Sequence, residues 1–318
     1  MRGKVVIKNI SGKNVIIAVG IVLYCPDYGR LKESLIRLSL QFETIILYNN
    51  GANIKAINEM VSECKSTVII VGDGENRGIA TALNKIMEKA NELNYKWVIT
   101  LDQDSIVPDN MLPAFLSEIK RENVAIICSQ NIDRRRKYMK PVMNPQYEYV
   151  KMCDTSGSCT NLQIWKELGG FDEWLFIDLV DNDYCKRVDI KGYKILRINT
   201  VVMDHQYGNI KPRGKLLEKF FLKMGQIFHN TNIAKLSFKR IVNPMRIYYE
   251  NRNILYLNKK YRQYGGIGYA NHHCRTYIGF FLTFSLYSWI VSDKKKEVYR
   301  AIRNGIKDGK RVNPKPWS

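Results

Sequence analysis

The stretch Trp97-Val98-Ile99-Thr100-Leu101-Asp102-Gln103-Asp104-Ser105 runs from an apolar segment straight into a pair of carboxylates. Every residue of 97–101 is apolar or β-branched, the pattern of a strand buried on both faces. Similar runs lie at 15–23, 44–48 and 67–71 before it and at 124–128 after it. Between them apolar residues recur at helical spacing: over 31–40, in Ile54, Ile57, Met60 and Val61, and in Ile79, Leu83, Ile86, Met87 and Ala90. Strand and helix alternate through the first 130 residues. This predicts an α/β fold, Rossmann-like, with a mostly parallel central sheet and helices on both faces. Ligands of such sheets bind beyond the carboxyl ends of the strands. Attention therefore falls on the loops 24–27, 49–53, 72–78 and 102–105.

After residue 130 the alternation lapses. A basic loop occupies 133–140, a strand is expected over 148–154, and short helices over 161–168 and 181–190. A further strand is expected over 193–203, ending at Asp204-His205. Beyond that the chain reads as mainly helical and basic. Residues 1–205 carry 27 Lys/Arg and 25 Asp/Glu, whereas 206–318 carry 23 and 5. The expected division is thus a balanced domain over 1–205 and a basic helical region over 206–318, suited to acceptor, membrane-surface or oligomer contacts. Basic surfaces meet nucleic acid, anionic lipid or diphosphates. The charge is confined to one region and no helix-turn-helix, RRM or zinc pattern accompanies it, so no nucleic-acid partner is expected.

The uncharged run 276–292 is short for a membrane span. It fits a buried helix, or a helix lying in the membrane plane beside Lys294-Lys295-Lys296. Seven scattered cysteines without CxxC spacing predict reduced thiols and no zinc. Residues 1–14 contain no apolar core before a cleavage site, so no signal peptide is expected.

Asp102 and Asp104, one residue apart after a buried strand, can hold a hard divalent cation; such a pair alone is more often a solvated loop, and its place at the carboxyl end of a central strand favours the metal. His205 also follows a strand and would need a partner such as Asp104 to act as a metal ligand. Glu173, Asp178, Asp181, Asp183 and Asp189 crowd one segment. Acids favour a first helical turn, but crowded carboxylates also have raised pKa values, which suits a general base. Asn76-Arg77-Gly78 opens a helix, either as a cap or as a cradle offering N–H groups and Arg77 to a diphosphate.

Several stretches in order resemble a family 2 glycosyltransferase of the GT-A fold, of the bacterial rhamnosyltransferase type and similar to galactofuranosyltransferases. They are Asn76-Arg77-Gly78-Ile79-Ala80 with Ala82-Leu83-Asn84, Leu101-Asp102-Gln103-Asp104-Ser105, and Ser156-Gly157-Ser158. Gly169-Gly170-Phe171-Asp172-Glu173 follows, then Phe176-Ile177-Asp178-Leu179-Val180-Asp181 and Asp183-Tyr184-Cys185-Lys186-Arg187. Tyr248-Tyr249 and Arg252-Asn253 extend the likeness.

The resemblance implies that Asp102 and Asp104 bind a divalent metal (Mg or Mn) and the ribosyl-diphosphate, with His205 as a third ligand. It implies Asp181 as catalytic base, with Asp178 as alternate. Tyr24, Asn49, Asn50, Asn76, Arg77, Gly78 and Gln103 would line the nucleotide-sugar site, and Gly157, Asp172 and Trp174 the acceptor side. In the family an Asp usually reads the nucleobase where Asn49 or Asn50 stands here. The implied activity is inverting transfer of a sugar, rhamnose from dTDP-rhamnose or, alternatively, a galactofuranosyl or other hexosyl unit from a UDP-sugar. The implied acceptor is a saccharide linked to a lipid diphosphate, and the expected place is the cytoplasm or the inner face of the bacterial membrane.

Overall fold

The computed structural model describes residues 17–269 and 274–317, apart from the side chains of Pro212 and Asn232. The proposed leader-free N-terminus and the first two residues of the expected 15–23 strand lie outside the described residues. Elements are numbered in chain order: β1 (Ile17–Leu23), α1 (Tyr28–Ser39), β2 (Thr44–Asn49), α2 (Ile54–Val61), β3 (Thr67–Val71), α3 (Ile79–Glu92), β4 (Trp97–Asp102). Then come α4 (Met111–Glu118), β5 (Val124–Ile132), β6 (Tyr147–Val150), β7 (Ser158–Asn161), α5 (Leu162–Glu167), a 3-10 turn (Glu173–Leu175), α6 (Val180–Ile190) and β8 (Lys194–Asp204).

The chain forms two compact units. The first comprises residues through Arg134 with Pro141–Phe176 and Val180–Gln206. Its sheet has the order β3-β2-β1-β4-β7-β5-β8-β6. The strands β3, β2, β1 and β4 run parallel, as do β5 and β8. Ile17 to Leu23 and Trp97 to Leu101 are buried throughout, which is why their sequences lack alternation. Leu31, Leu35 and Leu38 of α1, spaced at three and four, seal one face with Ile21, Ile45 and Ile99.

Two elements depart from the expected pattern. The strand β7 runs antiparallel between β4 and β5. Its sequence, Ser-Cys-Thr-Asn, is too short and polar to read as a central strand. The helix α4 carries Pro113 in its first turn, where a missing N–H costs nothing, and its apolar residues show little periodicity. The strand expected over 148–154 shortens to β6, which pairs antiparallel with β8.

The second unit comprises Arg135–Lys140, Ile177–Leu179 and the chain from Tyr207 onward. It contains β9 (Ile210–Pro212), α7 (Lys215–Ile227), α8 (Thr231–Ala234), β10 (Phe238–Arg240) and α9 (Pro244–Lys260). After these come α10 (Tyr277–Phe280), a π-helical turn (Phe281–Leu286), α11 (Tyr287–Val291) and α12 (Lys295–Arg311). Asn243 caps α9 with Pro244 at its first position. The helix α12 packs on α9, and the Tyr248 hydroxyl donates to Asp308 at 2.9 Å. Ser285 in the π-helical turn donates to the Asn251 side chain at 2.8 Å. The run expected as one apolar helix over 276–292 is therefore anchored on one side by Phe280, Phe284 and Ser285, which are buried. Ile278, Leu282, Trp289 and Ile290 stay exposed. Among the described residues no helix is long and apolar enough to cross a membrane.

Candidate active site

The carboxyl end of β4 delivers Asp102, and the next loop delivers Asp104. β8 ends at Asp204, and His205 follows. Reciprocal backbone bonds between Ile106 and Asp204, 3.0 and 3.2 Å, join the two chain segments. As a result Asp102, Asp104 and His205 each place a ligand atom within 4.8 Å of the others. His205 Nε2 lies 3.8 Å from Asp102 Oδ2.

The imidazole is buried, and its other nitrogen meets Ser105 Oγ at 3.0 Å. Ser105 Oγ in turn lies 2.8 Å from Ser156 Oγ, which accepts from the Asp102 N–H at 2.9 Å. When Nδ1–H donates to Ser105, the lone pair of Nε2 faces Asp102, the tautomer a metal ligand needs. Two carboxylates and one imidazole could together hold a divalent cation. Ser105 and Ser156 complete this support and were not singled out as site residues, although both stand inside the motif stretches quoted above.

Gln103, between the two aspartates, accepts from Tyr24 N–H at 2.8 Å and donates to Tyr24 C=O at 2.9 Å. The exposed Tyr24 ring lies over Gly51. Gln103 thus fixes the loop after β1 to the loop after β4 that carries Asp104. Arg30 of α1 donates to the Asp104 carbonyl from the other side.

The proposed nucleotide residues are largely bonded to one another. Asn49 Oδ1 accepts from Gly51 and Ala52, at 3.2 and 2.8 Å. Asn50 accepts from the Arg77 N–H at 2.8 Å and donates to Asn76 at 3.1 Å. The Gly78 N–H donates to Asn76, and the Ile79 N–H to the Phe176 carbonyl at 2.6 Å. The Arg77 guanidinium pairs with Asp73 and Glu75, and holds the exposed Asp73 carboxyl below its usual range. The N–H groups of Arg77, Gly78 and Ile79 thus meet acceptors within the protein, as in the capping alternative of the sequence reading. Gly78 also admits a neighbour. Its φ is 84°, and a Cβ there would lie 2.6 Å from the Phe176 ring and 2.7 Å from its carbonyl oxygen.

The acidic segment is sorted by its partners. Asp183 pairs with Arg187 in the interior, and Arg187 also donates to the carbonyls of Leu168 and Gly170, each at 2.6 Å. Glu173 accepts from Asn84 at 2.8 Å, and Asn84 bonds both the N–H and the C=O of Phe171. Asp178 is held by Arg246. Asp189 is exposed in the last turn of α6. Asp181, in the first turn, accepts from the Asn182 N–H at 2.9 Å and lines a small cavity with Asp154, Thr155, Ser158, Phe171 and Tyr184. Among the described residues the buried Tyr184 hydroxyl meets no hydrogen-bond partner, and burial raises its pKa.

On the expected acceptor side, Trp174 is partly exposed and Asp172 caps the 3-10 turn through the Trp174 N–H at 3.1 Å. Gly157 differs from expectation. It is buried where β7 begins, its N–H donates to Thr100 C=O at 2.8 Å, and an added Cβ would collide with Ser129 and Met203. Its φ of 83° and lack of side chain let β7 enter the sheet; it presents no surface to a ligand.

A mostly parallel sheet whose carboxyl edge gathers two aspartates and a histidine is the architecture of a GT-A glycosyltransferase, and known proteins agree. Residues 28–171 match the Glycosyl transferase family 2 model. The chain carries a domain of that family and is a glycosyltransferase. It is 24% identical over 255 residues to the dTDP-rhamnosyl transferase RfbF of Shigella flexneri, covering 76% of this chain and 79% of that protein. Its fold matches S. aureus TarS 1-349 in complex with UDP-GlcNAc at a TM-score of 0.56, with 13% identity, over 94% of this chain and 82% of that one. It also matches GalNAc-T7 with UDP, GalNAc and Mn2+ at 0.52 and 12% identity, over 86% of this chain but only 57% of that one.

Proposed function

We propose that the protein is an inverting, metal-dependent hexosyltransferase that moves rhamnose from dTDP-rhamnose to a hydroxyl of a saccharide acceptor. The convergence of Asp102, Asp104 and His205 carries the reading, and the likeness to a dTDP-rhamnosyl transferase supports the donor. Asp102, Asp104 and His205 would hold Mg or Mn, which offsets charge on the leaving diphosphate when bound. Tyr24 offers its exposed ring to the base, and Gln103 keeps that ring beside the metal loop. Asp181 takes the proton of the acceptor hydroxyl. The oxygen attacks the anomeric carbon from the face opposite the diphosphate, the bond to the diphosphate breaks, and configuration inverts. Asp178 is unsuited to this task because its carboxylate is already bound by Arg246.

The acceptor in this reading is linked to a lipid diphosphate, and the second unit meets an anionic membrane surface. The exposed Ile278, Leu282, Trp289 and Ile290 stand beside Lys294-Lys295-Lys296, the composition of an in-plane helix. Cations also crowd this unit: Lys235 is held below its ordinary pKa first by burial and then by Arg136.

The test supplies dTDP-rhamnose or UDP-hexoses with Mn2+ and a lipid-diphosphate saccharide, and follows product by mass and anomeric configuration. Rhamnosyl transfer with inversion, lost in Asp181→Asn while donor binding persists, is expected. Transfer from UDP-hexoses alone would overturn the donor, and wild-type turnover in Asp181→Asn would overturn the base.

A further inference from the structure

The backbone just ahead of α6 is strained. Phe176, Asp178 and Leu179 have φ of 61, 65 and 62°. None is glycine, and all three have a positive φ that residues with a Cβ rarely adopt. Such conformations persist only where the surroundings over-determine them, and they gather at working sites.

Here the surroundings are specific. Asn253 Nδ2 donates to the carbonyls of both Ile177 and Asp178, each at 2.9 Å. Asn253 is fully buried. Arg246 Nε donates to Oδ1 and Oδ2 of Asp178 at 3.0 and 3.2 Å, and Nη2 adds another bond to Oδ1. The Asp178 side chain is only 3% exposed, while that of Arg246 is 49% exposed. Arg246 and Asn253 are seven residues apart on α9, two helical turns, so they share a face. The link they hold, Ile177–Leu179, is followed by Val180 and then Asp181. Only Val180 therefore separates the link from Asp181.

We infer that Arg246 and Asn253 are positioning residues for Asp181. They act by fixing the positive-φ link, and the inference rests on the reading of Asp181 as base. Neither residue needs to touch substrate. Asp178, which the sequence offers as an alternate base, serves as the handle by which the link is held.

The experiment compares Arg246→Met, Arg246→Lys, Asn253→Asp and the double variant Arg246→Met with Asp178→Asn, all in the full chain. It reads kcat, donor KM, nucleotide affinity with Mn2+, and Tm. Asn253→Asp keeps the shape but removes both donated bonds. The double variant removes the stranded buried charge that Arg246→Met alone would leave. Expected are a kcat at least tenfold lower in Arg246→Met, Asn253→Asp and the double variant, partial recovery in Arg246→Lys, and donor KM and nucleotide affinity within twofold of the parent. The double variant should regain Tm relative to Arg246→Met yet stay slow. Near-parental kcat in Arg246→Met and Asn253→Asp overturns the inference, as does a loss of kcat matched by an equal loss of nucleotide affinity. Should Asp181→Asn remain active, the base reading itself fails; should it be inactive while these variants are normal, only the positioning role fails.

Discussion

Asp183 and Arg187, one turn apart on α6, form an ion pair whose side chains are 0% and 2% exposed, with Oδ2 2.6 Å from Nη2. The guanidinium also binds two carbonyls of the Leu168–Gly170 turn, so it joins α6 to the segment carrying Asp172 and Trp174. Removing one partner of a buried pair strands the other charge. Arg187→Met should cost about 3–5 kcal/mol. Equilibrium denaturation reads this directly, and a cost below about 1 kcal/mol would contradict the buried geometry.

The hydrogen bond that His205 Nδ1–H donates to Ser105 Oγ orients the imidazole, and loss of such support typically weakens metal binding about 10–100-fold. Ser105→Ala should raise the Mn2+ concentration for half-maximal binding by that order, with His205→Ala at least as severe. Isothermal titration with Mn2+ measures both; an unchanged affinity in Ser105→Ala would remove the serine from the site.

Gly78 meets Phe176 so closely that any side chain must displace it. Overpacking costs about 1–3 kcal/mol, and the positive φ adds about 1 kcal/mol more. Gly78→Ala should therefore lose roughly 2–4 kcal/mol, and it should slow transfer more than it weakens nucleotide binding. Parental stability would show that the contact is not needed.

The thiols differ sharply. Cys25 is exposed. Burial pushes the Cys159 thiol well up, while the hydrogen bond that Cys185 donates to Cys153 and then burial do so for Cys185. A raised thiol pKa leaves less reactive thiolate at any lower pH. At pH 7.5 (roughly physiological), maleimide should modify Cys25 first, with Cys159 and Cys185 reacting only on unfolding. Bound nucleotide should slow Cys25, which adjoins Tyr24. Peptide mapping with and without nucleotide decides, and equal rates would count against the Tyr24 platform.

For the membrane-surface reading, the triple variant Ile278→Ser, Leu282→Ser, Trp289→Ala removes exposed apolar area without touching buried Phe280 or Phe284. Full burial of one large apolar side chain contributes about 1.5–3 kcal/mol. Flotation with vesicles containing phosphatidylglycerol should fall at least tenfold. Unaltered flotation, or none by the parent, would dismiss this face.

The sheet was legible wherever strands were buried on both faces: the expected 67–71 strand is β3 itself, and 97–101 and 44–48 each fall one residue short of theirs. Legibility failed at β7, whose Ser-Cys-Thr-Asn sequence is placed by its neighbours rather than by propensity. Asp102, Asp104 and His205 were legible as residues at or just after strand ends. Their convergence depends on the Ile106–Asp204 bridge, which no local pattern encodes. The acids 173–189 could not be sorted by sequence, because their partners Asn84 and Arg246 lie 89 and 68 residues away. Gly157 and Gly78 were read as binding residues from their motifs. The structure uses both for close packing, a role that a glycine in a motif equally allows.

The placement of β7 also governs how the chain can mature. Until residues 158–161 have been made, β4 has a partner only on its β1 side, and the other edge of the strand leading to Asp102 lies open. An emerging chain that ends soon after the aspartate pair thus presents an unfinished ladder for the next fifty-odd residues of synthesis (roughly 3–10 s at typical rates). Closure by β7 brings Ser156 to the Asp102 N–H and to Ser105 as it covers that edge.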